Sequence, residues 1–140
     1  MAEAGGDDQE VDGAATLPDE RLLRTDLCAE AIRLARMLVA LMPTEPEPRG
    51  LLAMMLLHDA RRDTRIDERG EIVLLEEQDR ARWDRAQIAE GLAHSEAAIK
   101  ADANGPYAIQ SAIAAVHSRA KSAAATDWRS ASTAFCARIS

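Results

Sequence analysis

The stretch Glu76–Arg85 (EEQDRARWDR) sets one tryptophan, Trp83, among three arginines and four acids. An indole offers a broad apolar face with a single N–H donor, and a guanidinium offers five donors in a planar fork. These residue types dominate the energetics of protein–protein contacts. The chemistry they suggest is recognition. At helical spacing Asp79 would pair with Arg82 and Trp83, and Arg80 with Asp84. Alternating charge of this kind is equally the pattern of a solvated, self-paired face. Trp83 decides between the two: it is either a buried anchor or an exposed contact.

Other chemistry is less well supported. Arg65 to Glu76 has the length of a calcium loop, with Asp67, Gly70 and Glu76 in register. Its first and fifth positions, however, are Arg65 and Arg69, where a cation needs oxygen ligands, so no metal is expected there. His58, His94 and His117 lie too far apart for a helical zinc pair, and no Cys is near them. His58 beside Asp59 suits the end of a helix. Carboxylates such as Asp59 and Glu90 could serve a hydrolase or transferase only if they converged in a pocket. No nucleophile elbow, phosphate-binding glycine loop or dinucleotide fingerprint occurs. The expectation is a protein without catalytic residues, cofactor or metal.

Helices must position these residues. In residues 26–42 Leu27, Ala31, Leu34, Ala35, Leu38 and Met42 recur at 3–4 spacing, with Thr25 as the N-cap and Pro43 as the stop. Thr44 and Glu47 then stand at capping-box spacing, with Pro46 and Pro48 in the first turn of a second helix reaching Arg62. That helix is apolar nearly all round, which predicts the most buried element. Residues 63–70 are turn-like, and Ile72–Leu75 is an extended segment expected to pin the loop to the core. A third helix is predicted from Asp79 to Ala101. After Asn104-Gly105-Pro106 a fourth carries Ile109, Ala112, Ile113, Val116 and Ala120 on one face. Thr126-Asp127-Trp128 resembles the start of a fifth. Short connections predict an all-α array of antiparallel helical hairpins with one extended loop segment.

Of the 140 residues, 47% are apolar but only 3% aromatic, which favours helices packed through Ala, Leu, Ile and Met. The net charge of −7 is unevenly placed. Residues 1–20 hold seven acids and no Lys or Arg, and from Arg21 onward there are 17 of each sign. A neutral body lacks the basic footprint for phosphate backbones, so direct nucleic-acid binding is not expected. No apolar run is long enough to span a bilayer. Cys28 and Cys136 lie far apart without metal spacing, as in a reduced, cytoplasmic protein. The composition divides the chain into a disordered acidic tail (1–20), a helical domain (21–128) and an irregular C-terminus (129–140). An open end in such an array predicts self-association.

The blocks Arg24–Arg36 (RTDLCAEAIRLAR), Gly50–Arg62 (GLLAMMLLHDARR) and Arg65–Asp84 (RIDERGEIVLLEEQDRARWD) resemble the C-terminal extension of a group of extracytoplasmic-function sigma factors. The likeness continues through Ile88–Gly91, Gly105–Tyr107, Ala112–His117 and Thr126–Trp128. The resemblance implies a tetratricopeptide-like helical domain that regulates transcription initiation through contacts with RNA polymerase or sigma-factor regions. With the Trp83 cluster and its loop as the physical support, the expected partner contacts are Asp67, Gly70, Glu71, Asp79, Arg80, Arg82, Trp83 and Asp84. The family's acidic turn has the form Asp-x-Asp-Gly-Asp, whereas this chain has Asp67-Glu68-Arg69-Gly70-Glu71. The promoter-reading sigma regions themselves are absent from the sequence.

Overall fold

The computed structural model describes residues 18–120, 122–126 and 129, and among these the fold is all-helical. Four α-helices follow in order: α1 (Pro18–Leu41), α2 (Pro46–Asp59), α3 (Arg85–Ala101) and α4 (Pro106–Arg119). Single 3-10 turns at 62–64, 75–77 and 80–82 punctuate the long connection between α2 and α3, and another lies at 123–125. Four-residue connections join α1 to α2 and α3 to α4, and α2 touches all three other helices. Its apolar circumference is the reason. Leu52, Ala53, Leu56 and Leu57 are all buried, and the three leucines feed two core clusters, one with α1 and one with Trp83, α3 and α4.

The first helix is longer than its sequence pattern indicated. Pro18 opens α1, where its fixed φ is helical and its missing N–H costs nothing. Thr25 is therefore inside the helix, and its Oγ1 donates to the Arg21 carbonyl at 3.0 Å instead of capping. Residues 1–17 of the expected tail lie outside the described residues. Of the expected apolar stripe only Ala35 is buried. Ile32, Ala35 and Val39 pack on Leu52 and Leu56, while Leu27, Leu34, Leu38 and Met42 are exposed. The helix carries two apolar stripes, and the bundle uses the β-branched one that brings Arg36 against α3.

The second helix begins with its two prolines in the first turn, but Glu45 is its N-cap and no side chain caps it. Glu47 reaches across to α4 instead, accepting from the Tyr107 and Ala108 amides at 2.9 and 3.3 Å. It thus satisfies two of the N–H groups that α4 leaves orphaned. On α4 the buried residues are Ala108, Ile109, Ser111, Ala115 and Ser118. Ala112, Ile113 and Val116 are only half-buried at the edge of that face. Small residues let α4 approach closely, and Ser95 and Ser111 share a buried hydrogen bond of 2.9 Å across to α3. Asp127 and Trp128 of the expected fifth helix, and 130–140 of the expected irregular C-terminus, fall outside the described residues.

The predicted third helix is broken at its start. Asp79 caps the 3-10 turn 80–82 by accepting from the Ala81 amide, Trp83 is extended, and Asp84 caps α3 by accepting from the Gln87 amide at 3.0 Å. The pairings expected from continuous helical spacing over 79–84 therefore do not form.

Candidate functional site

The connection 60–84 folds around Trp83. Its side chain is 3% exposed, and its Nε1 donates to Thr64 Oγ1 at 3.0 Å. Thr64 in turn donates to the Arg61 carbonyl and contacts Gln78 Oε1 at 3.2 Å, and Gln78 Nε2 donates to the Val73 carbonyl at 3.1 Å. A chain of side chains nineteen residues apart in sequence thus ties both arms of the loop to the indole. Trp83 is the buried anchor of the two alternatives, and its ring is not available for direct contact with a partner.

Above this floor Ile66 and Ile72 form one antiparallel bridge, and the chain turns between them at Gly70, whose φ of 85° suits a residue without a Cβ. Asp67 organises the turn: its Oδ1 accepts from the Arg69 and Glu71 amides at 2.8 and 2.9 Å. The extended segment that follows alternates, as extended backbone must. Val73 and Leu75 turn inward, while Ile72 is 84% exposed and Leu74 also faces out. The expectation that Ile72–Leu75 as a unit pins the loop is corrected accordingly: Leu75 alone packs on the core cluster of Trp83.

The outer side of the loop is an open groove of about 720 Å³ that brings Asp67, Asp79 and Arg82 together with Asp63, Glu68 and Glu77. Arg21 of α1 and Arg69 complete its charged rim, which holds five acids against three arginines. Gly70 and Glu71 form the tip of the turn. Arg80, Trp83 and Asp84 point elsewhere. Arg80 Nη1 donates to the His117 and Ala120 carbonyls at 2.7 and 3.0 Å, capping the C-terminus of α4, and its guanidinium lies 4.5 Å from the Trp83 ring centre. Burial lowers the Arg80 pKa first, and neighbouring Arg85 second. These three residues position the groove and are not part of its surface.

The carboxylates Asp59 and Glu90 do line one cleft, of about 350 Å³, between α1, α2 and α3. Both are engaged. Glu90 accepts a two-pronged contact from Arg36 Nε and Nη2 at 2.9 and 2.7 Å, and that hydrogen bonding lowers its pKa. Asp59 Oδ2 accepts from Arg62 and Gln87 at 2.9 and 2.8 Å. Glu90 is thereby held ionised, the opposite of what a general acid requires. Sequence reasoning missed the tertiary contacts of Arg36, Glu47, Thr64 and Gln78, which join residues 14 to 60 positions apart.

Among the described residues no helix is long and apolar enough to cross a membrane, and no group of three metal-ligating side chains converges. No solved structure matches the chain. An uncharacterized protein of Rhizobium meliloti (strain 1021) is 52% identical over 103 residues, which cover 74% of this chain and 24% of that protein. The chain thus spans about a quarter of the length of that relative. The profile of a family of unknown function, DUF6596, matches residues 13–99, well over half of the sequence, and the chain belongs to that family.

Proposed function

We propose that this chain is a protein-interaction module of an extracytoplasmic-function sigma factor, acting in transcription initiation through protein contacts and not through catalysis. The observation that carries the reading is the Trp83-anchored loop. A buried indole, a threonine and a glutamine hold a charge-rich groove rigid on the outside of a helical bundle. Preorganising an exposed surface in this way lowers the ordering cost of binding. The acidic excess of the rim fits a partner that presents basic side chains, as sigma regions and polymerase surfaces facing DNA do. The length of the Rhizobium meliloti relative supports the reading, since about three-quarters of that polypeptide lies outside the match.

In this reading the helical pairs are the first members of a tetratricopeptide-like array, the protein works in the cytoplasm, and Asp67, Glu71, Asp79 and Arg82 meet the partner. The test is co-purification of the chain with separately produced sigma regions of a longer relative and with core RNA polymerase. Capture that is lost in Arg82→Glu and Glu71→Lys supports the proposal, because both side chains are exposed and their replacement leaves the Trp83 network intact. No capture by either partner assigns the chain to the alternative, a standalone helical scaffold. A salt-sensitive shift of duplex DNA by the purified chain would replace protein contacts with direct promoter binding.

A further inference from the structure

On the other side of Trp83 from the groove, three arginines gather around the indole and His58. Arg33, Arg36, Arg62 and Arg119 each pair with a carboxylate within 2.9 Å. Arg61, Arg65 and Arg80 have no carboxylate partner among the described residues. Yet they are half-buried and close enough to repel one another, since Arg61 is disfavoured as a cation by burial first and then by Arg65 and Arg80. Arg61 and Arg80 lie over the same indole, 5.7 and 4.5 Å from its centre. One ring quadrupole offsets only part of the repulsion between two guanidinium groups.

Donors are left over. Arg65 Nε and Arg80 Nη2 are buried without a hydrogen-bond partner. Arg61 Nη2 meets His58 Nδ1 at 3.2 Å, and because a guanidinium only donates, the His58 Nδ1 must accept, leaving its Nε2–H as a further donor. Arg65 Nη2 donates to the His58 carbonyl. A small, largely enclosed cavity of about 100 Å³ is lined by His58, Arg61 and His117 together with Leu57, Leu75, Ala114 and Ser118. Arg65 and Arg80 stand just behind it, donating to the carbonyls of two of its residues, His58 and His117. Every charged group identified at this site is cationic or a histidine. Buried donors without acceptors, repelling cations and a cavity sized for a few heavy atoms have one common remedy, an anion.

We propose that His58, Arg61, Arg65 and Arg80 form a binding site for a single small oxyanion. The cavity admits one phosphate or one carboxylate head and excludes a nucleotide. Two sources share that chemistry: free inorganic phosphate, and a carboxylate of the chain's own residues 1–20, which hold seven acids and no Lys or Arg.

Calorimetric titration of the full chain with inorganic phosphate in a low-salt, anion-poor buffer tests the site, with circular dichroism confirming that each variant is folded. Saturable one-site binding is expected, weakened roughly tenfold by Arg61→Gln and by Arg65→Gln. Arg119→Gln, at an exposed pair elsewhere, leaves it unchanged. Arg61→Lys, which keeps the charge, retains more binding than Arg61→Gln. A second chain with Asp7, Asp8, Glu10 and Asp12 changed to their amides separates the sources. If phosphate binds that chain markedly more tightly than the natural one, the acidic segment occupies the site in cis. Equal affinity assigns the site to free phosphate. No saturable binding by either chain overturns the proposal, as does binding that Arg61→Gln and Arg65→Gln leave intact.

Discussion

The Trp83 end of the bundle and the α1 side are held by different means. Around Trp83, α2, α3 and α4 meet through interlocked residues: Leu57, Ala60, Ile88 and Ala115 enclose the indole's neighbourhood, and α4 lies almost backbone to backbone on α2. α1 instead rests on a short stripe, Ile32, Ala35 and Val39, and on one side-chain clamp, Arg36 to Glu90. Its far side is open, with Leu23, Leu27, Leu34 and Leu41 all more than half exposed. Stability is therefore concentrated at one end of the molecule, and surface for contact at the other and along the loop.

The sharpest break in that comparison is Trp83→Ala. Removing a buried indole leaves a cavity and takes away the donor that Thr64 Oγ1 accepts from, for an expected loss of about 3–5 kcal/mol in denaturant unfolding. A loss below about 1 kcal/mol would mean that the loop is not anchored as described. Next is Gly50→Ala. A Cβ there would meet the Ala108 amide nitrogen and the Tyr107 carbonyl carbon at 2.7 Å, and backbone yields less readily than a side chain. The gain in helix propensity is outweighed, and the net cost is about 1–3 kcal/mol.

What the sequence made legible follows the same division. α2 was readable because an all-round apolar helix has only one place to go, the centre. The importance of Trp83 was readable from its type and neighbours, but its burial was not. Thr64, which receives its N–H, lies nineteen residues away, and no local pattern links them. Arg80 was misplaced for a similar reason: the break at Trp83 turns it from a helical neighbour of Asp84 into the cap of α4. On α1 the periodicity was real but ambiguous. Two stripes fit helical spacing, and only the partner helix determines which is covered. The groove residues Asp67, Asp79 and Arg82 were identifiable as a cluster, whereas the cationic site around Arg61 required the fold to bring α2, the loop and α4 together.

Acidification acts on histidines before carboxylates. His58 and His117 sit at the Trp83 end, and both have lowered pKa values, chiefly through burial and then through neighbouring cations. A histidine that takes up protons more readily unfolded than folded contributes stability that is complete above its ordinary value near 6.5 and lost as pH falls below it. Glu90 is also lowered, through its hydrogen bond from Arg36, so its contribution is complete above the ordinary carboxylate value of 4.5 and lost only below that. The exposed Arg36 limits that clamp to about 0.5 kcal/mol. His94, beside Glu90 and Arg36, is lowered as well, chiefly through burial, so the α1 side shares the histidine step. Chemical denaturation at stepped pH should show stability declining first as pH falls below 6.5, with His58→Asn and His117→Asn together removing more of that decline than Arg36→Ala does. A decline that Arg36→Ala removes more fully than the paired histidine substitutions do would place the proton-sensitive contacts on the α1 side.

The smallest expected effect is the most informative about α1. Leu27→Gln and Leu34→Gln exchange one good helix former for another at sites 60% and 51% exposed, so each should shift the unfolding free energy of the chain by less than about 0.5 kcal/mol. The same substitution at Leu56, which is fully buried, would leave an amide without partners in the core. If Leu34→Gln instead costs more than about 1 kcal/mol and the loss grows with protein concentration, the outward stripe is covered in solution by a second copy of the chain, because only association makes stability depend on concentration. Concentration-independent neutrality shows that no second copy covers the stripe, and that α1 is held by its inner face and the Arg36–Glu90 clamp alone.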